Sequence, residues 1–161
     1  MPGYVIHLAI GKEYLKRNKV NNESEFLRGI IMPDLLDKQS SHFGDASSNP
    51  DFSEFLKLNS LESDYNKGYY LHLITDYLFY NKYLREFSED IYEDYNKLNG
   101  FLVEKYGIEI PPELQGVVKF SVGEPRILKR ESICGFIDAI SRIDLQKIKE
   151  NKDFPDDDVE K

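Results

Sequence analysis

The sequence predicts an all-α fold: a single-domain helical bundle with a metal site between its helices. Three observations carry that expectation. Apolar residues recur at helical spacing in segment after segment, and no alternating run is long enough to build a sheet. The chain holds three histidines, and each falls beside an apolar helix or a turn carboxylate. At 161 residues it has enough length for one domain with a core, here residues 1–152, followed by an acidic tail at 153–161.

Pro2-Gly3 opens a helix over Tyr4 to Asn18, with Val5, Leu8, Ala9 and Leu15 on its apolar face. Ser24, as cap, starts a second helix to Met32, with Phe26, Leu27, Ile30 and Ile31 facing the core. Pro33 ends it, because proline disfavours helix in the residue before it. Residues 37–50 are rich in Ser, Asp, Gly and Asn and read as a loop, and a short helix covers Asp51 to Leu58. Asp64 to Tyr83 is apolar nearly all round, which places it at the centre of the fold. Glu86 to Tyr106 is the next helix, carrying Phe87, Ile91, Tyr95, Leu98, Leu102 and Val103. Pro111-Pro112 and Gly123-Glu124-Pro125 punctuate the segment between it and the last helix, which runs from Leu128 to Glu150.

A net charge of -8 sets up a field that repels nucleic acid and anionic lipid, so nucleic acid is not an expected partner. A bound cation would supply a local positive centre. The single cysteine, Cys134, excludes an internal disulfide and reads as a small core hydrophobe. The apolar stretch Tyr4 to Ile10 is broken by His7 and followed by Lys12 and Glu13, unlike a signal peptide, and no run approaches the roughly 20 apolar residues of a membrane span. A soluble cytoplasmic protein is the expectation.

His72 and Asp76 lie four residues apart, hence on one helix face, where an imidazole and a carboxylate can grip one cation. Such a pair suits Zn²⁺, Fe²⁺ or Mn²⁺. On an apolar helix it is costly unless both groups are satisfied, and a metal satisfies both. Taken singly, each candidate has an ordinary explanation. His72 and Asp76 form a hydrogen-bonded couple, His7 sits in a core, Asp34 shapes a turn after Pro33, and His42 is a solvated loop residue. Their convergence favours a shared centre: each histidine comes with an apolar helix or a turn carboxylate, and none is left over.

The series His7, Gly29-x-x-x-Pro33-Asp34, Ser41-His42-Phe43 and Gly68-x-x-x-His72-x-x-x-Asp76 resembles the zinc-dependent phospholipase C family, over residues 1 to about 85. The resemblance implies an all-helical fold with metals between helices. It implies one site built from Asp34, His42, His72 and Asp76, and a second metal held by His7 with Asp76 bridging, so one or two zinc ions, with Fe or Mn as substitutes. Family members also use an N-terminal amine, for which Pro2 is the counterpart here. Their third site draws on later histidines that this chain lacks; it would have to be rebuilt from carboxylates such as Glu86, Asp90 and Asp94.

The resulting expectation is a metal-dependent hydrolase of phosphate esters, phospholipase C-like. Asp34 would be both ligand and catalytic group, orienting or deprotonating the attacking water. The substrate would be a small phosphate ester or a phospholipid head group, and rings at Tyr69, Tyr70, Tyr77, Phe79, Tyr80 and Tyr83 are candidates for lining its pocket, though ordinary packing explains most of them. The alternative is a non-catalytic, metal-stabilised helical scaffold or sensor. A helical phosphohydrolase of the HD type is disfavoured, since no His-Asp dipeptide occurs.

Overall fold

Helix α1 (Tyr4–Arg17) runs through the middle of the molecule, and Val5, Ile6, Leu8, Ala9 and Ile10 are all buried. In the computed structural model, residues 3–36, 41, 43, 50–84 and 88–151 are described. Among them are seven α-helices and no strands, packed on one continuous apolar core. None of these helices is long and apolar enough to cross a membrane.

Helix α2 (Glu23–Leu35) is capped by Asn22, whose side chain accepts the Glu25 N–H at 3.1 Å. The cap thus lies two residues before the expected Ser24. At its other end α2 does not stop at Met32 but passes through Pro33. A proline there removes only one backbone donor, and the carbonyls of this last turn find other partners. Leu36 N–H donates to the Met32 carbonyl at 3.1 Å, Ser41 Oγ to that of Pro33 at 2.8 Å, and the Tyr4 hydroxyl to that of Asp34 at 3.0 Å. Asp34 therefore rides on a helix rather than in a turn.

Helix α3 (Phe52–Leu58) is capped by Asp51 and delivers one ring, Phe55, between Tyr69 and Tyr70, with centroids 5.4 and 5.5 Å away. Helix α4 (Asp64–Leu78), capped by Ser63, is the central element that its composition predicts, buried from Gly68 to Asp76. Its regular winding ends five residues short of Tyr83; Phe79–Tyr83 form a π turn in which the Leu84 N–H reaches back to the Phe79 carbonyl at 2.7 Å. That wider turn lets Phe79 and Tyr83 both pack on Phe136.

Helices α2 and α4 make the most extensive pairing in the molecule. They cross glycine on glycine. A Cβ on Gly29 would overlap the Tyr65 carbonyl oxygen, and one on Gly68 would overlap that of Phe26. Only two residues without side chains allow the backbones to come this close.

Helix α5 (Asp90–Tyr106) packs on α1 and ends at Gly107, whose φ of 64° is the left-handed conformation of a helix stop. The buried Asp94 of α5 accepts three backbone N–H groups, from Arg126, Ile127 and Leu128, at 2.7–3.0 Å. It thereby fastens the segment leading into α6 (Arg130–Ser141). The single last helix expected over 128–150 is two, since α7 (Leu145–Asn151) begins after a break at 142–144. Asp144 makes that break: its carboxylate accepts the N–H groups of Gln146 and Lys147, the competition with helix that short acidic side chains offer. Cys134 on α6 is half-buried rather than a core residue. Pro2, Glu86, His42, most of the expected 37–50 loop and the 153–161 tail lie outside the described residues.

Candidate metal centre

Three helices bring four polar side chains into the core. His7 comes from α1, Asp34 from the last turn of α2, and His72 and Asp76 from successive turns of α4. The side chains of His7, Asp34, His72 and Asp76 are at most 1% exposed. Burial at this level is expensive for ionisable groups unless they face one another or a cation.

They do face one another. Asp76 stands between the two imidazoles, with Oδ1 3.1 Å from His7 Nε2 and Oδ2 3.2 Å from His72 Nε2. Asp34 Oδ1 approaches the same His72 nitrogen at 3.4 Å. The two rings stack, centroids 3.7 Å apart and planes 8° from parallel. One donor atom from each of His7, His72 and Asp76 lies within 4.8 Å of the others.

The α2–α4 crossing explains part of this geometry. Gly68 is one turn before His72, so the contact at Gly68 presses the His72 ring against α2. There its Nδ1–H donates to the Ile30 carbonyl at 2.6 Å. That bond fixes the tautomer and turns Nε2 toward the carboxylates, the orientation in which a neutral imidazole ligates metal. His7 is oriented differently: its Nδ1 has no hydrogen-bond partner among the described residues.

The electrostatics of the two imidazoles differ. Burial lowers the pKa of His7, and the neighbouring His72 lowers it further, against the opposing pull of Asp76 and Asp34. Burial also lowers that of His72, but Asp76 and Asp34 outweigh it and raise the value to about 10. Of the two imidazoles in the metal-free chain, His72 is therefore the one favoured as imidazolium and His7 the one favoured as neutral imidazole. Counted with both aspartates ionised, two carboxylates against one imidazolium leave a buried negative charge. A divalent cation displacing that proton would bring the cluster to neutrality. Two imidazole nitrogens and carboxylate oxygens converging at this spacing fit Zn²⁺, Fe²⁺ or Mn²⁺. The donor set therefore fits a metal in its chemistry.

Of the five expected ligands, the structure gathers His7, Asp34, His72 and Asp76. His42 lies outside the described residues; its neighbours Ser41 and Phe43 are described. Ser41 is hydrogen-bonded to the Pro33 carbonyl and receives the Tyr69 hydroxyl on its own carbonyl, and Phe43 packs edge-on against Phe55 and Tyr69. Of the carboxylates considered for a third site, the two that are described, Asp90 and Asp94, do not gather. Asp94 is committed to three backbone N–H groups, and Asp90 is exposed beside Arg126, at 4.0 Å. The rings considered as a pocket lining are engaged in core packing: Tyr69 and Tyr70 on Phe55, Tyr77 on Phe52, and Phe79 with Tyr80 and Tyr83.

Sequence reasoning missed the Ile30 carbonyl, a backbone group with no signature, and it treated Tyr95 as a packing residue. The spacing of Ile91, Tyr95, Leu98 and Leu102 does place Tyr95 on the inward face of α5. Comparisons of this chain with protein-family models, curated proteins and solved structures give no match. The functional reading rests on the cluster itself.

Proposed function

We propose that this protein binds one or two divalent cations, zinc foremost, through His7, Asp34, His72 and Asp76, and acts in the cytoplasm as a metal-dependent hydrolase of phosphate esters. The observation that carries the reading is the buried cluster of two imidazoles and two carboxylates, drawn from three helices. A bound cation would supply Lewis acidity toward a phosphoryl oxygen and a lowered pKa for water. The chain's own residues divide the remaining work. The Ile30 carbonyl sets the face of His72, and Asp76 spans the two imidazoles. Asp34, whose Oδ1 lies 3.4 Å from His72 Nε2 at the edge of the imidazole pair, is the carboxylate assigned the general-base role toward the attacking water. The resemblance to phospholipases C points to a small phosphate ester or a phospholipid head group as substrate.

Elemental analysis of protein purified without chelator tests the metal; one or two equivalents of zinc, iron or manganese are expected. Chelator-sensitive turnover of phosphomonoester or phosphodiester chromogens, or of phosphatidylcholine, tests the reaction. In Asp34→Asn that turnover should fall by on the order of a hundredfold or more, as for loss of a general base, with little change in melting temperature. A mutant equal to wild type would remove Asp34 from catalysis.

Burial favours a second reading. Structural metal sites are closed and catalytic ones keep an open position, and all four donors are nearly sealed. If the metal-loaded protein turns over none of these substrates, a metal-stabilised scaffold or sensor is the function.

A further inference from the structure

One buried polar atom near the cluster has no role in metal binding or in activating water. The Tyr95 side chain on α5 is 6% exposed, and its hydroxyl has no hydrogen-bond partner among the described residues. Burying a hydroxyl without a partner costs stability, so such a group invites a functional explanation.

Two contacts place it. On one side Tyr95 lies over Gly3, where an added Cβ would sit 3.3 Å from Tyr95 Cβ, and Gly3 is one turn before His7 on α1. On the other side its ring meets Phe79 at 6.4 Å, and Phe79 opens the π turn three residues after Asp76. The Tyr95 side chain is therefore wedged between the turns that carry His7 and Asp76. The charges agree: burial, then Tyr92, Asp76 and Asp34 all raise its pKa, so the hydroxyl remains a donor across the physiological range. The hydroxyl donates to neither carboxylate of the cluster, and an oxygen of an anion bound at the cation site would give it the acceptor it lacks.

We propose that the Tyr95 hydroxyl donates a hydrogen bond to an oxyanion, phosphate or the phosphoryl group of a phosphate ester, bound at the His7–Asp34–His72–Asp76 centre. This rests on that centre holding a metal. It adds an anion-binding residue from α5, an element that supplies no metal ligand.

The test uses the full chain loaded with Co²⁺, whose visible spectrum reports the metal site, titrated with inorganic phosphate. Wild type should bind Co²⁺ and show a saturable spectral change with phosphate. Tyr95→Phe should bind Co²⁺ with unchanged affinity but bind phosphate roughly tenfold more weakly or worse, the scale of a lost hydrogen bond to a charged group. In the metal-free form, Tyr95→Phe should melt no lower than wild type, since the hydroxyl it lacks had no protein partner. Equal phosphate affinity in the variant, or no phosphate response in wild type, would overturn the proposal and leave the metal reading standing. Loss of Co²⁺ by the variant would overturn it by making Tyr95 a ligand, and a clearly lower metal-free melting temperature by giving the hydroxyl a structural partner. A wild-type chain that takes up no Co²⁺ would instead bring down the metal reading itself.

Discussion

Asp76 and Asp94 are both buried aspartates on long helices, 0% and 1% exposed, yet they are satisfied in opposite ways. Asp94 draws three N–H groups from one backbone segment, a complete solution made of the chain alone. Asp76 is faced by two imidazoles, one of which must also accommodate Asp34. A carboxylate that serves architecture is met by groups of fixed protonation. Asp76 is met by groups whose protons can leave, as the metal reading requires. The difference separates two kinds of buried charge that burial alone does not distinguish.

The largest effect is expected at Asp94. Asp94→Ala leaves three backbone donors without their acceptor, at a cost of about 3–5 kcal/mol. Chemical denaturation should return the same loss with zinc and with chelator; a metal-dependent loss would make Asp94 part of the centre. Next comes the glycine crossing. Gly68→Ala would ordinarily stabilise a helix by about 1 kcal/mol. Here it should cost on the order of 3 kcal/mol, because the new methyl meets the Phe26 carbonyl, and it should weaken zinc binding too. A neutral or stabilised variant would refute the close contact.

His72→Ala sharpens the comparison from the other side. With zinc at about a hundredfold excess over its dissociation constant, wild type gains roughly 2.7 kcal/mol, and the variant should gain none. Differential scanning calorimetry with and without chelator reads this directly; identical wild-type curves would argue against a tight site. The smallest effect belongs to Arg17, which pairs with Asp138 and Glu13 across an exposed surface. Arg17→Ala should change stability by less than about 1 kcal/mol, with no dependence on metal, in a urea titration.

The sequence made α1, α4 and α5 legible because their apolar residues repeat with helical period. It misplaced ends where a side chain competes with backbone: Asn22 in place of Ser24 as a cap, and Asp144 splitting the last helix. Pro33 misled because its local preference yields to donors on its own carbonyl and on that of Asp34, from Ser41 eight residues on and from Tyr4 on another helix. At the site, His72 and Asp76 could be paired from spacing alone. That His7 would stack on His72 could not, because it depends on how α1 docks against α4. The third-site carboxylates show the limit of composition: Asp94 looks like any acidic residue until its three backbone donors are seen.

The glycine crossing has a consequence for how such a centre persists through divergence. The separation of α2 and α4 is set by main-chain atoms, common to every sequence, rather than by the sizes of interlocking side chains. The large residues on either helix can therefore drift without changing the gap between Asp34 and His72. The features that set this gap are few: a glycine five residues before Asp34, a glycine four before His72, and the polar side chains themselves. Two chains could share this centre with little else in common, and their kinship would be written in residues that have no side chain at all.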